Sequence, residues 1–427
     1  MAKKRVLIIT YYWPPSGGSG VQRWAYFAKY LEQFGVVPIV LTVDPKKASY
    51  PSIDNDLLKD VEHIEVHRTS TFEPLQIYSL LTTGKKKEGI PYGSIETKSK
   101  SPIKKLGRYV RANLILPDAR KYWNSYALKA ARKLIQNNEI DVVVTTGPPH
   151  STHLIGEKLK TQFNIPWLVD FRDPWSEMFY NQDLPMTKAS IKKNEDLEVS
   201  ILNKADKVVT VSQYIADLLL KKSKKSKNDI HIIENGYDDR LFKEKYEKKT
   251  QNTIAYVGYL GKHHNYELLV EGLSIFVKQY PENEITLELA GNIEPVVLEL
   301  LKQKLSIQIE NHGIVSHEAA IQLMQEAHVL LFTVPKTNYI KGLISGKIFE
   351  YIASKTPVIS LNSDAEEANK IISQFDTNFV VENPNEMASA INNCIMNTGN
   401  SQPTNDKISQ YSRENLTRKL GNIIKVM

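Results

Sequence analysis

The 427 residues are too many for one ordinary hydrophobic core, so we expect two domains. Hydrophobic residues make up 41% and charged residues 24%, as in soluble globular proteins, and nowhere do about 18 apolar residues follow one another, which excludes a bilayer-spanning helix. The net charge of +7 suits a phosphorylated ligand, an anionic membrane surface or nucleic acid, and it is also compatible with no charged partner.

The cysteine content and the N-terminal segment bear on the location of the protein. The single cysteine, Cys394, excludes a disulfide within the chain and offers no metal-ligand spacing, so we expect a cytoplasmic protein or one on the cytoplasmic face of a membrane. The segment MAKKRVLIIT begins like a signal peptide, but its apolar run stops at Pro14-Pro15 without a small-residue cleavage site. We therefore interpret it as the first strand.

Two series of short apolar runs alternate with helical patterns along the chain. The first series has strand candidates at 5–10, 36–43, 63–69, 141–147, 166–171, 207–212 and 231–236. The second series has strand candidates at 253–259, 285–291, 308–314, 328–334, 357–362 and 378–383. Continuous β-branched runs separated by helices indicate parallel strands buried on both faces, and they predict an α/β fold whose ligands bind beyond the carboxyl ends of the strands.

The boundary between the two series defines the expected domains. A charged stretch separates them, so we place the first domain at 1–236, the linker at 237–252 and the second domain at 253–405. The last segment, 406–427, spaces its apolar residues as a helix does and is a candidate to pack back on the first domain.

A basic stretch, residues 84–111, departs from the α/β pattern. It carries many lysines and arginines and few acids. It is either a solvated insertion or a basic patch that faces anionic lipid headgroups or a phosphate-bearing acceptor. The sequence leaves both interpretations open.

The glycine-rich loop YYWPPSGGSGVQRW follows the first strand. A dinucleotide-binding turn needs G-x-G-x-x-G directly after the strand, and Gly18 and Gly20 supply only the first pair because Arg23 takes the third position. Gly17 and Gly18 would still let backbone N–H groups approach an anion where the next helix starts. The alternative is a glycine-rich loop without a ligand.

Two more loops follow strands of the first series. TTGPPHSTHL places His150 at a carboxyl end, where ligands bind, and lets one of the next two residues cap the following helix. VDFRDPW places Asp170, Arg172 and Asp173 at the end of the next strand. His150 is either a site residue or a packing histidine, and the three charged residues form either a structural Asp–Arg pair or part of a site.

The loop YVGYLGKHHNYELL opens the second series. Gly258 and Gly261 permit close backbone approach to a ligand, and Lys262, His263 and His264 add cationic or hydrogen-bonding groups. Two adjacent histidines without further ligands argue against zinc.

The segment SGKIFEYIAS gives the most specific signal in the second series. Ser345, Gly346 and Lys347 lead into a helix whose first N–H groups are suited to a diphosphate, and Lys347 adds a positive charge. Glu350 lies one turn into the helix, where it is placed to accept hydrogen bonds from ribose hydroxyls. The alternative for Glu350 is an acid favoured by the helix dipole.

Taken in order, the motifs resemble a bacterial-type GT-B glycosyltransferase of the retaining family four. They are PPSGGSG, DFRDPW, ENGYD, YVGYLG, NHGIVSHEAAIQLMQEAHVLLF and SGKIFEYIASKTPVI. The resemblance implies two Rossmann-like α/β domains with parallel sheets facing a cleft, the nucleotide-sugar donor mostly on the second domain and the acceptor on the first.

The resemblance also assigns residues by motif position. Glu350 matches the second acid of the family's Glu-x7-Glu signature, which contacts the ribose, and the Gly17-Gly18 loop lies near the donor diphosphate. The resemblance implies that the main chain from Gly313 to Val315 meets the base and that His150 matches a histidine near the reacting sugar. We therefore expect catalytic roles for His150, Asp173 and Lys347, and donor binding by Gly17, Gly18, Gly258, Lys262, His264, Gly313, Val315, Ser345, Gly346 and Glu350.

The implied activity is that of a hexosyltransferase of polysaccharide biosynthesis. The resemblance implies a UDP- or GDP-linked donor, a glycan or lipid-linked acceptor, retention of configuration, and no metal or other cofactor. The resemblance further implies that a donor phosphate oxygen takes the acceptor proton, and we expect lysines and backbone N–H groups to stabilise the diphosphate leaving group. We expect at most peripheral contact with the inner membrane face, and no nucleic-acid partner because aromatic and basic residues are not interleaved.

Two departures from the family pattern keep alternatives open. Gly342 stands where the first signature acid is expected, and Tyr259 stands where the family has an arginine. The loss of that acid favours a catalytically impaired sugar-nucleotide-binding protein as the alternative. An NAD-dependent oxidoreductase is a further alternative, against which the defective glycine fingerprint counts.

Overall fold

The computed structural model describes residues 3–50, 52–73, 102–137, 139–177, 184–337, 339–397 and 405–427. Most of the basic stretch therefore lies outside the described residues. The chain divides into two compact units, of which the first comprises Met1–Glu234 and Leu416–Met427 and the second comprises Asn235–Asn415. None of the helices in these described ranges is long and apolar enough to cross a bilayer.

The first unit contains seven parallel strands in the order β3-β2-β1-β4-β5-β6-β7. The strands are β1 (Lys4–Ile9), β2 (Val36–Val43), β3 (Glu65–Thr69), β4 (Val142–Gly147), β5 (Trp167–Phe171), β6 (Lys207–Thr210) and β7 (Ile230–Ile232). The helices before the unit boundary are α1 (Ser19–Leu31), α2 (Asn55–Asp60), α3 (Pro102–Leu114), α4 (Asn124–Asn137), α5 (His153–Phe163), α6 (Lys188–Lys204) and α7 (Gln213–Lys222).

The second unit contains six parallel strands in the order β10-β9-β8-β11-β12-β13. The strands are β8 (Asn252–Val257), β9 (Ile285–Ala290), β10 (Gln308–Gly313), β11 (Val329–Phe332), β12 (Val358–Ser360) and β13 (Phe379–Val380). The helices are α8 (Tyr266–Gln279), α9 (Pro295–Lys304), α10 (His317–Glu326), α11 (Lys347–Ala353), α12 (Glu366–Ile372), α13 (Pro384–Met396) and α14 (Asn405–Ser409). The two parallel sheets confirm the α/β prediction.

Some strands are shorter than the apolar runs that predicted them. The run 378–383 yields only the two residues of β13. Val381 still donates its N–H to the Ser360 carbonyl at 3.0 Å, but Asn383 accepts a hydrogen bond from the Glu386 N–H and caps α13. The extended backbone ends by Asn383 because this residue is already the N-cap of α13.

The last helix, α15 (Arg413–Lys425), adds its apolar side to the core of the first unit. Leu416, Leu420 and Ile424 are fully buried in the same apolar cluster as Leu31 of α1. Their spacing of four residues places them on one side of the helix.

The charged segment 237–252 packs on the second unit. Tyr237 is buried, and its N–H donates to the Tyr411 carbonyl at 3.1 Å. Leu241 and Phe242 pack against the apolar core of that unit. The apolar residues of this segment are few, which is why its charge dominates the sequence pattern.

A buried ion pair connects α1 to the sheet of the first unit. The side chains of Arg23 and Asp170 are fully buried, and Arg23 Nη2 lies 3.0 Å from Asp170 Oδ1. Trp24 Nε1–H and the Thr146 hydroxyl also donate to Asp170, and Arg23 Nη1 donates to the Glu234 carbonyl at 2.9 Å. Each charge therefore has several hydrogen-bond partners, as a buried ion requires.

Replacing Arg23 with methionine leaves Asp170 buried without its ion partner, so we expect the free energy of unfolding of the first unit to fall by about 3–5 kcal/mol. Tryptophan fluorescence in denaturant follows this unit specifically. All five tryptophans belong to it: Trp13, Trp24, Trp123, Trp167 and Trp175.

The matched control is Lys59→Met, which breaks the exposed Lys59–Asp56 pair of 3.0 Å. We expect this control to cost less than about 1 kcal/mol, because exposed ion pairs contribute little. An Arg23→Met protein as stable as the control would contradict the importance assigned to the buried pair.

Candidate functional site

Three glycines end three neighbouring strands of the second unit. Gly258 follows β8, Gly291 follows β9 and Gly313 ends β10, and their φ angles are 133°, 117° and 64°. The Gly258 N–H donates to the Ala290 carbonyl at 2.7 Å, and the Gly291 N–H donates to the Gly313 carbonyl at 2.6 Å. A β-carbon on Gly291 would collide with the Gly258 carbonyl. The carboxyl edge of these strands is therefore backbone without side chains, which a ligand can approach closely.

Lys347 lies beside Gly258. Its Nζ would be 3.6 Å from a β-carbon on Gly258, and it donates to the Tyr256 hydroxyl at 2.7 Å. The amine also stands 4.2 Å from the centroid of the Tyr256 ring. Burial lowers the pKa of Lys347 to about 7. The amine is thus partly deprotonated near neutral pH, and an anion bound beside it would favour its charged form.

Glu350 forms a hydrogen bond with His317 across the end of the same sheet. Glu350 Oε1 lies 2.9 Å from His317 Nε2, and this bond raises the pKa of His317. His317 begins α10, a few residues after Gly313, and the intervening Ile314 is 87% exposed while Val315 packs on the apolar core. His317 was not among the site residues expected from the sequence, although its place directly after the expected base-binding loop was a usable signal.

The loop before α11 leads into the helix without a side-chain cap. The Ser345 carbonyl accepts a hydrogen bond of 3.1 Å from the first turn of α11, and Gly346 precedes the helix. Gly342 is buried in a 3-10 turn, and its N–H donates to the Tyr339 carbonyl at 3.1 Å. The position of the first signature acid therefore carries no side chain.

Glu294, a carboxylate not expected from the sequence, lies between β9 and α9 and bonds to the loop after β8. It accepts hydrogen bonds from the Tyr259 hydroxyl and, at 3.2 Å, from the Lys262 N–H, and the tyrosine bond above all lowers its pKa. The Gly261 N–H donates to His264 Nδ1 at 3.2 Å, and burial lowers the pKa of His264 to about 4. His264 is therefore neutral at physiological pH, and a negative charge stands beside Lys262.

One group within the described ranges offers three residues of metal-binding type. Glu288, Glu310 and His312, on β9 and β10, each place a ligand atom within 4.8 Å of the others. Lys249 forms an ion pair with Glu288. The lysine neutralises the buried carboxylate of this group.

The glycine loop of the first unit is partly engaged in packing. The Gly17 N–H donates to the Ser52 carbonyl at 3.0 Å, and a β-carbon on Gly17 would lie 2.9 Å from Ser52 Oγ. Gly18 is exposed, has a φ of 105° and immediately precedes α1. The Gly17 amide is thus already paired, and Gly18 supplies the conformation that enters the helix.

Gly20 is explained by packing. A β-carbon there would collide with the guanidinium of Arg172, which donates to the carbonyls of Gly147 at 3.0 Å and Pro148 at 2.8 Å. The structural alternative for this loop is an Asp–Arg pair, and Asp170 forms such a pair with Arg23 of α1. Arg172, which follows β5, links the ends of β5 and β4 through these hydrogen bonds.

His150 is buried and neutral at the end of β4. Its ring stacks on Trp175 with centroids 5.0 Å apart, and neither ring nitrogen has a hydrogen-bond partner among the described residues. Burial is the main cause that holds the pKa of His150 well below its usual value. Asp173 is half-buried, burial raises its pKa, and it forms no hydrogen bond or ion pair with the part of the chain that is described.

Asp118 holds the turn that carries His150. The Ser151 N–H donates to Asp118 Oδ2 at 2.8 Å, and the Ser151 hydroxyl donates to Oδ1 at 2.7 Å. A 3-10 turn precedes α5, which begins at His153 with no side-chain cap from Thr152. The expected capping by one of these two residues is therefore wrong, because Asp118 takes the serine hydroxyl.

Comparison with protein families identifies both halves of the chain. The profile described as Glycosyltransferase Family 4 matches residues 90–241, and the profile described as Glycosyl transferases group 1 matches residues 251–397. Two parallel α/β sheets with these domains define a glycosyltransferase of the GT-B fold. Both matches assign the chain to the glycosyltransferases, which confirms the GT-B glycosyltransferase that its motifs resemble.

Solved structures share this fold at low sequence identity. A glycosyltransferase from Rickettsia africae ESF-5 is 18% identical with a TM-score of 0.61, covering 99% of this chain and 98% of that one. HepE from Anabaena in complex with UDP is 14% identical with a TM-score of 0.61, covering 99% and 100%. Sucrose-phosphate synthase from Thermosynechococcus elongatus is 16% identical with a TM-score of 0.64, covering 99% and 98%. No curated protein sequence matches significantly.

Replacing Glu350 with glutamine removes the carboxylate that favours protonated His317, so we expect the pKa of His317 to fall toward its ordinary value of about 6.5. The raised pKa stabilises the fold below about pH 6.5, and this contribution is lost as the pH rises through the folded-state pKa. Proton NMR titration of the His317 ring measures the shift. Glu318→Gln, at the same helix start, is the control, and an unchanged His317 titration in Glu350→Gln would disprove the pairing.

Proposed function

We propose that the second unit binds a UDP- or GDP-linked hexose and that the chain transfers this sugar, with retention of configuration, to a glycan or lipid-linked acceptor bound by the first unit. The observation that carries the proposal is the lysine of low pKa, Lys347, beside the side-chain-free backbone at Gly258. A cation at a glycine edge of a parallel sheet suits a diphosphate. HepE, which shares the fold, has been solved with UDP and with UDP-glucose.

The parts of the donor bind separate groups at this edge. We assign the diphosphate to Lys347 and the Gly258 backbone, with Ser345 and Gly346 in support. We assign the ribose to Glu350, held by His317, and the base to the main chain from Gly313 to Val315. Lys262 and His264 border the diphosphate, but Glu294 offsets the charge of the lysine and His264 is neutral, so Lys347 supplies most of the positive charge.

The proposed chemistry is stabilisation of the leaving group. As the bond between the sugar carbon and the phosphate oxygen breaks, negative charge grows on the diphosphate, and Lys347, protonated when the donor binds, stabilises that charge. A donor phosphate oxygen accepts the acceptor proton. We propose that no metal ion or other cofactor takes part, since the lysine meets the charge requirement.

On the first unit, we propose that His150 and Asp173 bind sugar hydroxyl groups. The neutral imidazole retains one donor and one acceptor, and its ring is fixed by Trp175. We propose that the loop at Gly17-Gly18 also contacts these substrates. We further propose a cytoplasmic location with peripheral contact to the inner membrane face, for which the cationic stretch 84–111 is the support.

A second candidate function is sugar-nucleotide binding without transfer. Gly342 favours it, because the residue that would touch the donor sugar or support the reaction is absent. This candidate predicts the same donor binding and no turnover. The oxidoreductase alternative has no such support, since Gly20 makes room for Arg172.

Replacing Lys347 with methionine should weaken UDP binding by about 10–100-fold, the usual cost of a charge-assisted hydrogen bond. In the parent protein, the lysine must take up a proton on binding above its pKa of about 7. Affinity should then fall by up to about tenfold per pH unit above pH 7, where UDP itself no longer changes charge. Lys347→Met should lose this pH dependence.

Isothermal titration calorimetry between pH 6.5 and 9 measures both effects, and buffers of different ionisation enthalpy count the protons taken up. Lys341→Met, an exposed lysine in the same segment, is the control and should behave as the parent. Parent affinity that is flat across this range would overturn the role given to Lys347.

Turnover separates the two candidate functions. We expect UDP- or GDP-hexose to be consumed in the presence of a chelator, and proton NMR of the anomeric signal should give a product with the donor's configuration. Glu350→Ala should bind UDP more weakly and so raise KM. Binding without any consumption of donor, with or without acceptor, would favour the second candidate.

A further inference from the structure

Helix α3 exposes an apolar stripe to solvent. Leu106, Tyr109 and Leu114 are 64%, 47% and 69% exposed, and Val110 is partly exposed. At 3.6 residues per turn these residues share one side of the helix, whereas Ala112, on the opposite side, is buried. An amphipathic helix of a globular protein normally turns its apolar side to the core, and α3 does the reverse.

The charges of α3 are all positive. The helix contains no acidic residue and carries four cations: Lys104, Lys105, Arg108 and Arg111. At its end, Lys121 Nζ donates to the Leu114 carbonyl at 2.9 Å. Burial and the nearby charge of Lys193 on α6 lower the pKa of Lys121, and Lys193 acts more strongly than the opposing Asp118. Lys121 and Lys193 therefore lie near each other at this end of the stripe.

The helix is fixed in this orientation. Asn113 Oδ1 accepts a hydrogen bond from the Thr187 N–H at 2.7 Å, and Asn113 Nδ2 donates to the Pro185 carbonyl at 2.9 Å. These bonds attach the end of α3 to the start of α6. The exposure of the stripe is thus built into the packing of the first unit.

We propose that this surface docks on an anionic lipid bilayer, with the apolar stripe at the level of the upper acyl chains and the cations among the headgroups. The α3 surface comprises Leu106, Tyr109, Val110, Leu114, Arg111 and Lys121. Apolar and basic residues on one exposed helix are the pattern of a helix that lies in the membrane interface. Each cation near an anionic surface adds to the attraction.

The charge also argues against a second copy of this chain as the occupant. Two copies meeting at α3 would bring the same cations face to face, in a chain whose net charge is already +7. The inference rests on the membrane contact included in the proposed function and makes that contact specific to α3. Vesicle binding requires neither a sugar donor nor an acceptor, so its failure would leave the proposed donor binding and sugar transfer standing.

The test is cosedimentation of the full chain with vesicles of about 30% phosphatidylglycerol in phosphatidylcholine, compared with phosphatidylcholine alone. We expect binding to the anionic vesicles that weakens as salt is raised. The double variant Leu106→Gln/Leu114→Gln should lose at least about tenfold in affinity, because it removes the apolar contact. Lys105→Gln/Arg111→Gln should weaken binding and flatten its salt dependence.

The matched control is Val296→Gln/Met396→Gln, which removes apolar side chains of similar exposure from the second unit and should keep the parent affinity. Thermal unfolding by circular dichroism verifies that each variant is folded. Three results would each overturn the proposal: equal binding to neutral and anionic vesicles, unchanged affinity of Leu106→Gln/Leu114→Gln, or no vesicle binding at low salt. A dimer in sedimentation velocity that Leu106→Gln/Leu114→Gln abolishes would assign the surface to a second copy instead.

Discussion

The buried ion pair between Arg23 and Asp170 is the constraint on which the first unit depends. Two charges without access to water are tolerated only when both are fully hydrogen-bonded, so α1, β4, β5 and the Glu234 carbonyl must hold fixed positions. Because α1 starts at the glycine loop, the pair also fixes that loop. Because β5 continues into Arg172, it fixes the turn at the end of β4 on which the candidate first-unit site lies.

The second unit combines two features at one sheet edge. Its backbone is open to an anion, and a lysine supplies positive charge beside it. The glycines at the ends of β8, β9 and β10 keep side chains away from the sheet edge, and Lys347 reaches that edge from α11. Burial over an aromatic ring makes the lysine a weak base. A diphosphate that restores its charge therefore gains a close cation that was only partly charged before binding.

The sequence predicted what depends on local patterns. Apolar runs and helical spacing gave two parallel sheets, and the motifs gave the family. The pairings that shape the candidate sites were not predictable, because they join residues far apart in the chain. Arg23 looked like a failed glycine position, yet it binds Asp170, which lies 147 residues away. Glu350 and His317, 33 residues apart, meet only because the fold brings α11 close to the start of α10.

The central claim is that the carboxyl edge of β8 to β10 holds a nucleoside diphosphate. Hydrogen exchange of the full chain with and without UDP, read by mass spectrometry, tests it most directly. The account predicts added protection in peptides that cover 258–264, 313–317 and 345–350. Protection absent from these peptides, or found only in those covering 145–152, would contradict it.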